Sequence, residues 1–159
     1  MLSKLDKKII TLISQDIPLV KEPFKNLALK LGIDQRVLFA RIKSYKKNGI
    51  LRKFSASLNH RKIGFKHNAM VVWNIPDRAL DRAGNLMASL PQVSHCYQRK
   101  KMRDWNYNLY SMIHSKTKKE CFDVVRNIHK KTACKDYKIL FSSYEYKKSA
   151  AKYFRDEQD

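Results

Sequence analysis

The chain has 159 residues, 43% of them hydrophobic, and a formal charge of +20. That is enough apolar material for a packed core, which excludes a disordered tail, and no apolar run approaches the roughly 20 residues of a membrane helix. The charge asks for a polyanionic partner but is not concentrated in one place. Residues 1–52 carry 12 Lys/Arg against 4 Asp/Glu, and the remainder carries 22 against 10, so DNA binding by an N-terminal head does not follow from charge alone.

The N-terminus, MLSKLDKKII, lacks the apolar stretch and cleavage site of a secretory signal. Cys96, Cys121 and Cys134 are odd in number and irregularly spaced, which predicts a reduced, cytoplasmic setting and no cysteine metal site. Leu2, Leu5, Ile9, Leu12 and Ile13 recur at helical spacing and predict a first helix, broken at Asp16-Ile17-Pro18. A second helix begins near Pro23 and carries Phe24, Leu27, Ala28 and Leu31 before Gly32. Asp34 is placed to cap a third, with Val37, Leu38, Ile42 and Tyr45 on one face and Gly49 at its end. Three short helices with a tight glycine turn before the third predict a helix-turn-helix, winged-helix-like head over residues 1–52.

Residues 53–66 read as an extended basic connector. A strand follows, HNAMVVWNIP, closed by Pro76, then a helix from Asp77 to Leu90. The segment VSHCYQRK predicts a second strand, a basic loop from Lys100 to Asn106 follows, and YNLYSMIHS predicts a third. A helix over residues 117–131 and a last strand from Asp136 complete the order β-α-β-β-α-β. The expected fold class is α+β, with a ferredoxin-like domain over residues 67–148 behind the helical head and a loosely held tail over 149–159.

Strand alternation predicts which side chains share a face. It sets Val93, His95, Tyr97 and Arg99 on one face of the second strand, with Ser94, Cys96 and Gln98 opposite. In the third strand it turns Leu109 and Ile113 to the core, and Asn108, Tyr110, Met112 and His114 to the open face. Two histidines among aromatic, amide and guanidinium groups do not suit a packing face, because buried polar groups without partners destabilise a fold; a wet interface would tolerate them, and a site for a large, flat, polar ligand would use them. A Cys96–His95 nucleophile pair is disfavoured, since strand neighbours point to opposite faces. Cys121 and Cys134 read as packing residues, His129 as an ordinary helix-surface residue, and His60 and His67 are open.

The head segment LALKLGIDQRVLFARIKSYKKNGILRKFSASLN, Leu27 to Asn59, resembles the Lrp/AsnC regulators. The segments IPLVKEPF, LNHRKIGFKHNAMVVWNIP, VSHCYQRK and DWNYNLYSMIHS are similar instead to the enzyme branch of that superfamily, the siroheme decarboxylases. The resemblance spans nearly the whole chain to about Tyr146. It implies removal of the C12 and C18 acetate carboxyl groups of siroheme, giving 12,18-didecarboxysiroheme and CO2 on a route to heme or heme d1. It also implies a paralogous subunit in a heterodimer, or else a homodimer, and no cofactor beyond the iron tetrapyrrole substrate.

On that resemblance His95 and His114 are the candidate acid/base pair, with axial ligation of the substrate iron as the alternative for either. Arg52, Arg61, Lys62 and Arg99 are candidates to hold substrate carboxylates, and Tyr97, Asn108 and Tyr110 to orient the ring. Two other functions compete. One is a DNA-binding regulator using Arg36, Lys43 and Lys46 on phosphates; Phe39, on the outward side of the third helix, argues against base readout there. The other is a heme carrier or sensor that uses the same face without chemistry. Specific DNA and membranes are not expected partners.

Overall fold

The computed structural model describes residues 2–147, 149, 151, 153 and 154. The chain divides into two compact units, one formed by residues 1–56 with the described part of 146–159, the other by Ser57–Glu145.

The first unit holds α1 (Lys4–Ile13), α2 (Pro23–Leu31) and α3 (Gln35–Lys47). Ile9, Leu27, Ala28, Leu38, Ile42 and Tyr45 form its core. Each helix end is terminated by local chemistry. Ser3 and Asp6 make a reciprocal capping box on α1, Gly32 closes α2 in the left-handed conformation at φ 65°, and Asp34 accepts from the Arg36 N–H at the start of α3. Asp6 does more than cap. Its Oδ1 accepts from the Tyr45 hydroxyl at 2.6 Å and from Arg41 Nη1 at 3.0 Å, so α1 is tied to α3 through one buried carboxylate. These bonds, first from the Ser3 hydroxyl and then from Tyr45, hold the Asp6 carboxyl down at about 2. Phe39 packs on Phe24 with ring centroids 5.3 Å apart, and Phe24 meets Phe54 at 6.2 Å.

Most of the tail expected to be loosely held, residues 149–159, lies outside the described residues; within it the Tyr153 carbonyl accepts from Thr11 and the Phe154 ring lies under Lys7, both on α1. The connector was expected to be extended, yet residues 59–65 form a turn, with Lys62 and Ile63 N–H groups on the Asn59 carbonyl and Phe65 N–H on that of His60. Gly64, at φ 98°, supplies the backbone this turn needs. The turn belongs to the second unit, where Lys116 lies over the Phe65 ring.

The second unit holds β1 (His67–Trp73), a 3₁₀ turn (Asp77–Ala79), α4 (Leu80–Ala88), β2 (Val93–Gln98), β3 (Leu109–Ser115), α5 (Lys118–Thr132) and β4 (Tyr137–Phe141). The strands form one antiparallel sheet in the order β2-β3-β1-β4, the ferredoxin-like arrangement. Ala69, Val71, Trp73, Leu109 and Ile113 meet Leu80, Ala83 and Met87 of α4 and Cys121, Val125 and Ile128 of α5. Buried Trp73 donates its indole N–H to Ser111 at 2.9 Å, so a polar pair inside this core is satisfied. Both helices of this unit lie on one face of the sheet; the other is termed its open face.

Candidate functional site

The strand register orders the open face into rows. His114 stands beside Asn68, Met112 lies between His95 and Met70, and Tyr110 lies between Tyr97 and Val72. β4 extends the last two rows with Leu140 beside Met70 and Lys138 beside Val72. None of these residues is acidic.

β2 departs from simple alternation. Its register slips between Val93 and His95, so that Val93 pairs with Ile113 while His95 pairs with Met112. Ser94 is the extra residue of this bulge. Val93 therefore turns inward to pack on the core, contrary to its expected place beside His95. Ser94 turns outward with His95. Its Oγ lies 2.8 Å from His95 Nδ1 and 2.7 Å from His114 Nε2. His114 Nδ1 in turn lies 2.9 Å from Asn68 Oδ1, and the His60 ring from the 59–65 turn stands 6.0 Å from the His114 ring. The two expected histidines thus share the Ser94 hydroxyl, and two further side chains, Asn68 and His60, lie against His114.

The aromatic half of the face is built by β2, β3 and the basic loop. Tyr97, 54% exposed, stacks on His95 with centroids 5.9 Å apart. Arg99 lies over the Tyr110 ring at 5.0 Å, and the Tyr110 hydroxyl accepts from the Trp105 indole N–H at 2.7 Å. Lys138 sits 5.4 Å from the centroids of both Trp105 and Tyr107. Lys101 donates to Asn74 at 2.7 Å, which anchors the loop beside the sheet. These pairs place guanidinium and ammonium groups over flat rings, an arrangement suited to an anionic macrocycle.

Not every expected residue joins this constellation. Asn108 is only 3% exposed, and its carboxamide bridges the Ile75 N–H at 2.9 Å and the Ile75 carbonyl at 2.7 Å. It is a structural staple, not a ligand contact, because both ends of the amide already have backbone partners. Arg61 and Lys62 lie exposed in the turn that carries His60. Arg52 is exposed and belongs to the helical unit. Cys96 faces away from His95 toward the core, and burial pushes its thiol up, as it does for Cys121 and Cys134; none is a ready thiolate. His129 Nδ1 donates to the Cys134 carbonyl at 2.7 Å, a local contact just past the end of α5. Among the described residues no three His, Cys, Asp or Glu side chains gather as a metal site. No helix there is long and apolar enough to cross a membrane.

Ser94, Asn68, His60, Trp105 and Lys138 were not anticipated. Asn68 was legible, since alternation along β1 places it on the open face with Met70. Ser94 was not, because its position depends on the bulge.

Comparison with known proteins agrees with this fold. A family model for an AsnC-like ligand binding domain matches residues 62–147, and one for a siroheme decarboxylase NirDL-like HTH domain matches residues 6–52. The siroheme decarboxylase beta subunit of Methanosarcina barkeri is 42% identical over 95% of this chain and 99% of its own length. The crystal structure of the siroheme decarboxylase NirDL aligns at TM-score 0.71 and 34% identity, covering 98% of this chain and 48% of the longer one. The same protein has been solved in co-complex with an iron-uroporphyrin III analogue. An AsnC family transcriptional regulator from Agrobacterium tumefaciens shares the fold at TM-score 0.77 but only 18% identity. With a relative 42% identical along almost all of both chains, this chain belongs to the siroheme decarboxylase family.

Proposed function

We propose that this chain is a siroheme decarboxylase subunit that removes the C12 and C18 acetate carboxyl groups of siroheme, giving 12,18-didecarboxysiroheme and CO2. The observation that carries the reading is the histidine pair, His95 and His114, joined through Ser94 on a sheet face bordered by Arg99, Lys138 and stacked aromatics. Family membership supplies the substrate. The NirDL relative's co-complex with an iron-uroporphyrin III analogue supports the same ligand class here.

The chemistry follows from what a carboxylate needs in order to leave. Breaking the bond between CH2 and COO⁻ releases CO2 and leaves an electron pair on the arm. A pyrrole ring carbon protonated beforehand accepts that pair, giving a neutral exocyclic methylene. The methylene then takes a proton while the ring carbon returns one, and the product carries CH3. One proton is consumed per CO2 released. Imidazole is suited to both transfers because its ordinary pKa lies near neutral pH. Arg99 and Lys138 are placed to hold carboxylates that do not react, and Tyr97 and Tyr110 to lie against the macrocycle. No organic cofactor is required by this scheme.

The working enzyme pairs this subunit with a paralogue or a second copy, as the relative's designation as a beta subunit supports. The helical head has no DNA-reading role in this account, since Phe39 occupies the outward side of α3 in an aromatic cluster with Phe24 and Phe54. The test is anaerobic incubation with siroheme, alone and with candidate partner subunits, followed by mass analysis of the porphyrin. Loss of two CO2 units is expected. Unchanged siroheme with every partner, together with salt-resistant binding to a discrete DNA sequence, would replace this reading with a regulator.

A further inference from the structure

We infer that Asn68 and Ser94 make the two histidines a single directional proton chain whose working end is His95 Nε2. The catalytic meaning of the chain rests on the decarboxylase reading; its geometry does not.

Each link follows from the donor inventory of the preceding one. The Asn68 Oδ1 atom, 2.9 Å from His114 Nδ1, only accepts, so Nδ1 holds the hydrogen. A neutral His114 then has its lone pair on Nε2, which needs a donor, and Ser94 Oγ at 2.7 Å is that donor. With its one hydrogen directed to His114, Ser94 receives from its other neighbour, His95 Nδ1, at 2.8 Å. His95 therefore carries its hydrogen on Nδ1 and presents a bare Nε2. Ser94 and Asn68 are positioning residues: they fix which nitrogen of each ring carries the hydrogen without touching the reacting carbon.

The chain also moves a proton. When His95 Nε2 takes one, the Nδ1 hydrogen passes to Ser94 Oγ as the Ser94 hydrogen passes to His114 Nε2. His95 ends neutral with its hydrogen on Nε2, and His114 becomes the cation. The reverse sequence returns the proton through His95 Nε2. No other bond is made or broken, so the pair can hold a proton between the protonation of a ring carbon and its release. Among the described residues, titratable or charged groups near the pair include His60, with its ring 6.0 Å from that of His114, Tyr97 stacked on His95, and Lys116 farther along the β3 side, over Phe65.

The chain is tested by NMR of the full-length protein labelled with ¹⁵N-histidine, with its partner present where the complex requires one. Correlations from ring carbon-bound protons report the tautomer and titration of each imidazole. The wild type should show His95 and His114 both as Nδ1–H tautomers, with linked titrations. Ser94→Ala should release His95 from that tautomer and separate the two curves, and Ser94→Thr, which keeps the hydroxyl, should restore both. Asn68→Asp should raise the His114 titration by about one unit or more, since an opposite charge favours the cation. In the complete enzyme Ser94→Ala should lower kcat about tenfold or more with KM for siroheme nearly unchanged, again rescued by threonine. Unaltered tautomers and titrations in Ser94→Ala would overturn the chain even if wild-type enzyme decarboxylates siroheme. The expected NMR behaviour in a protein that never turns over siroheme would leave the chain standing and remove the decarboxylase reading.

Discussion

The Arg99 guanidinium lies over the Tyr110 ring, 5.0 Å from its centroid, at the point where β2 runs out of the sheet. The Tyr110 hydroxyl is held by Trp105, so the ring beneath the cation cannot swing away without breaking that bond. A guanidinium held in this way offers a flat, preorganised fork to a carboxylate. Arg99→Ala is therefore expected to weaken tetrapyrrole binding several-fold while leaving most of the rate at saturation. Arg99→Lys should recover the charge but not the stacking, giving intermediate affinity. Spectroscopic titration with siroheme measures both; a large fall in kcat with unchanged affinity would contradict a binding role.

Asn108 gives a prediction of the opposite kind. Removing its carboxamide leaves the Ile75 N–H and carbonyl buried without partners. Each such loss destabilises a fold by about 1–3 kcal/mol, so Asn108→Ala should lose about 2–4 kcal/mol of unfolding free energy. Siroheme affinity measured well below the unfolding temperature should stay the same. Weaker binding with unaltered thermal stability would return Asn108 to the ligand site.

The helical head should respond to acid through Asp6. The folded-state pKa of this carboxyl is depressed from 3.8 to about 2 by hydrogen bonds from Ser3 and Tyr45. Its stabilisation is thus complete above about pH 4 and fades as pH falls through about 2. Asp6→Asn should cost about 1–2 kcal/mol at neutral pH, a figure discounted because Arg41 is half exposed to solvent. The variant should also lose less stability than the wild type between pH 4 and 2. Urea melts at pH 7 and at pH 3 check it; equal acid sensitivity in both proteins would assign Asp6 no such role.

The open sheet face predicts association. Met70, Met112 and Leu140 form an apolar strip across its middle row, and Tyr97 and Leu140 are exposed. Apolar surface of this kind on a sheet face marks an interface or a ligand site. A dimeric mass is expected at micromolar concentration, either alone or with a paralogous subunit. Analytical ultracentrifugation returning a monomer in both conditions would rule it out.

The element order was legible because helices and strands carry their own periodicity and local boundary signals, Gly32 and Pro76 as stops and Thr117 as the start of α5. His95, Tyr97 and Cys96 were placed on their proper faces for the same local reason. What escaped the sequence depends on pairing between distant segments. The bulge at Ser94 is set by the register of β2 against β3, and it turns two successive residues outward. Asn108 was misplaced by counting alternation past the end of β3, which starts at Leu109. The 59–65 turn has no periodicity to betray it, and its contacts, His60 with His114 and Phe65 with Lys116, are more than fifty residues away in the chain.

The histidines carry the last prediction. His95 and His114 stand on neighbouring strands and meet at the Ser94 hydroxyl, close enough to exchange a proton through it. Proton transfer by a positioned group is worth about 10²–10⁴-fold in rate. Binding of a polycarboxylate macrocycle, by contrast, is spread over several cationic and aromatic contacts, so losing one imidazole removes a small share of it. His95→Ala and His114→Ala should each slow decarboxylation in the complete complex by about 10²–10⁴-fold with affinity changed only a few-fold. His95→Ala removes the working end of the chain and should be the slower of the two, whereas His114→Ala leaves an imidazole that can still take one proton. A role as iron ligand separates cleanly from this, because losing a ligand shifts the Soret band of the bound tetrapyrrole while losing an acid/base group leaves it in place. Wild-type turnover in both variants would remove catalysis from this face and move the search for the reacting groups to the partner subunit.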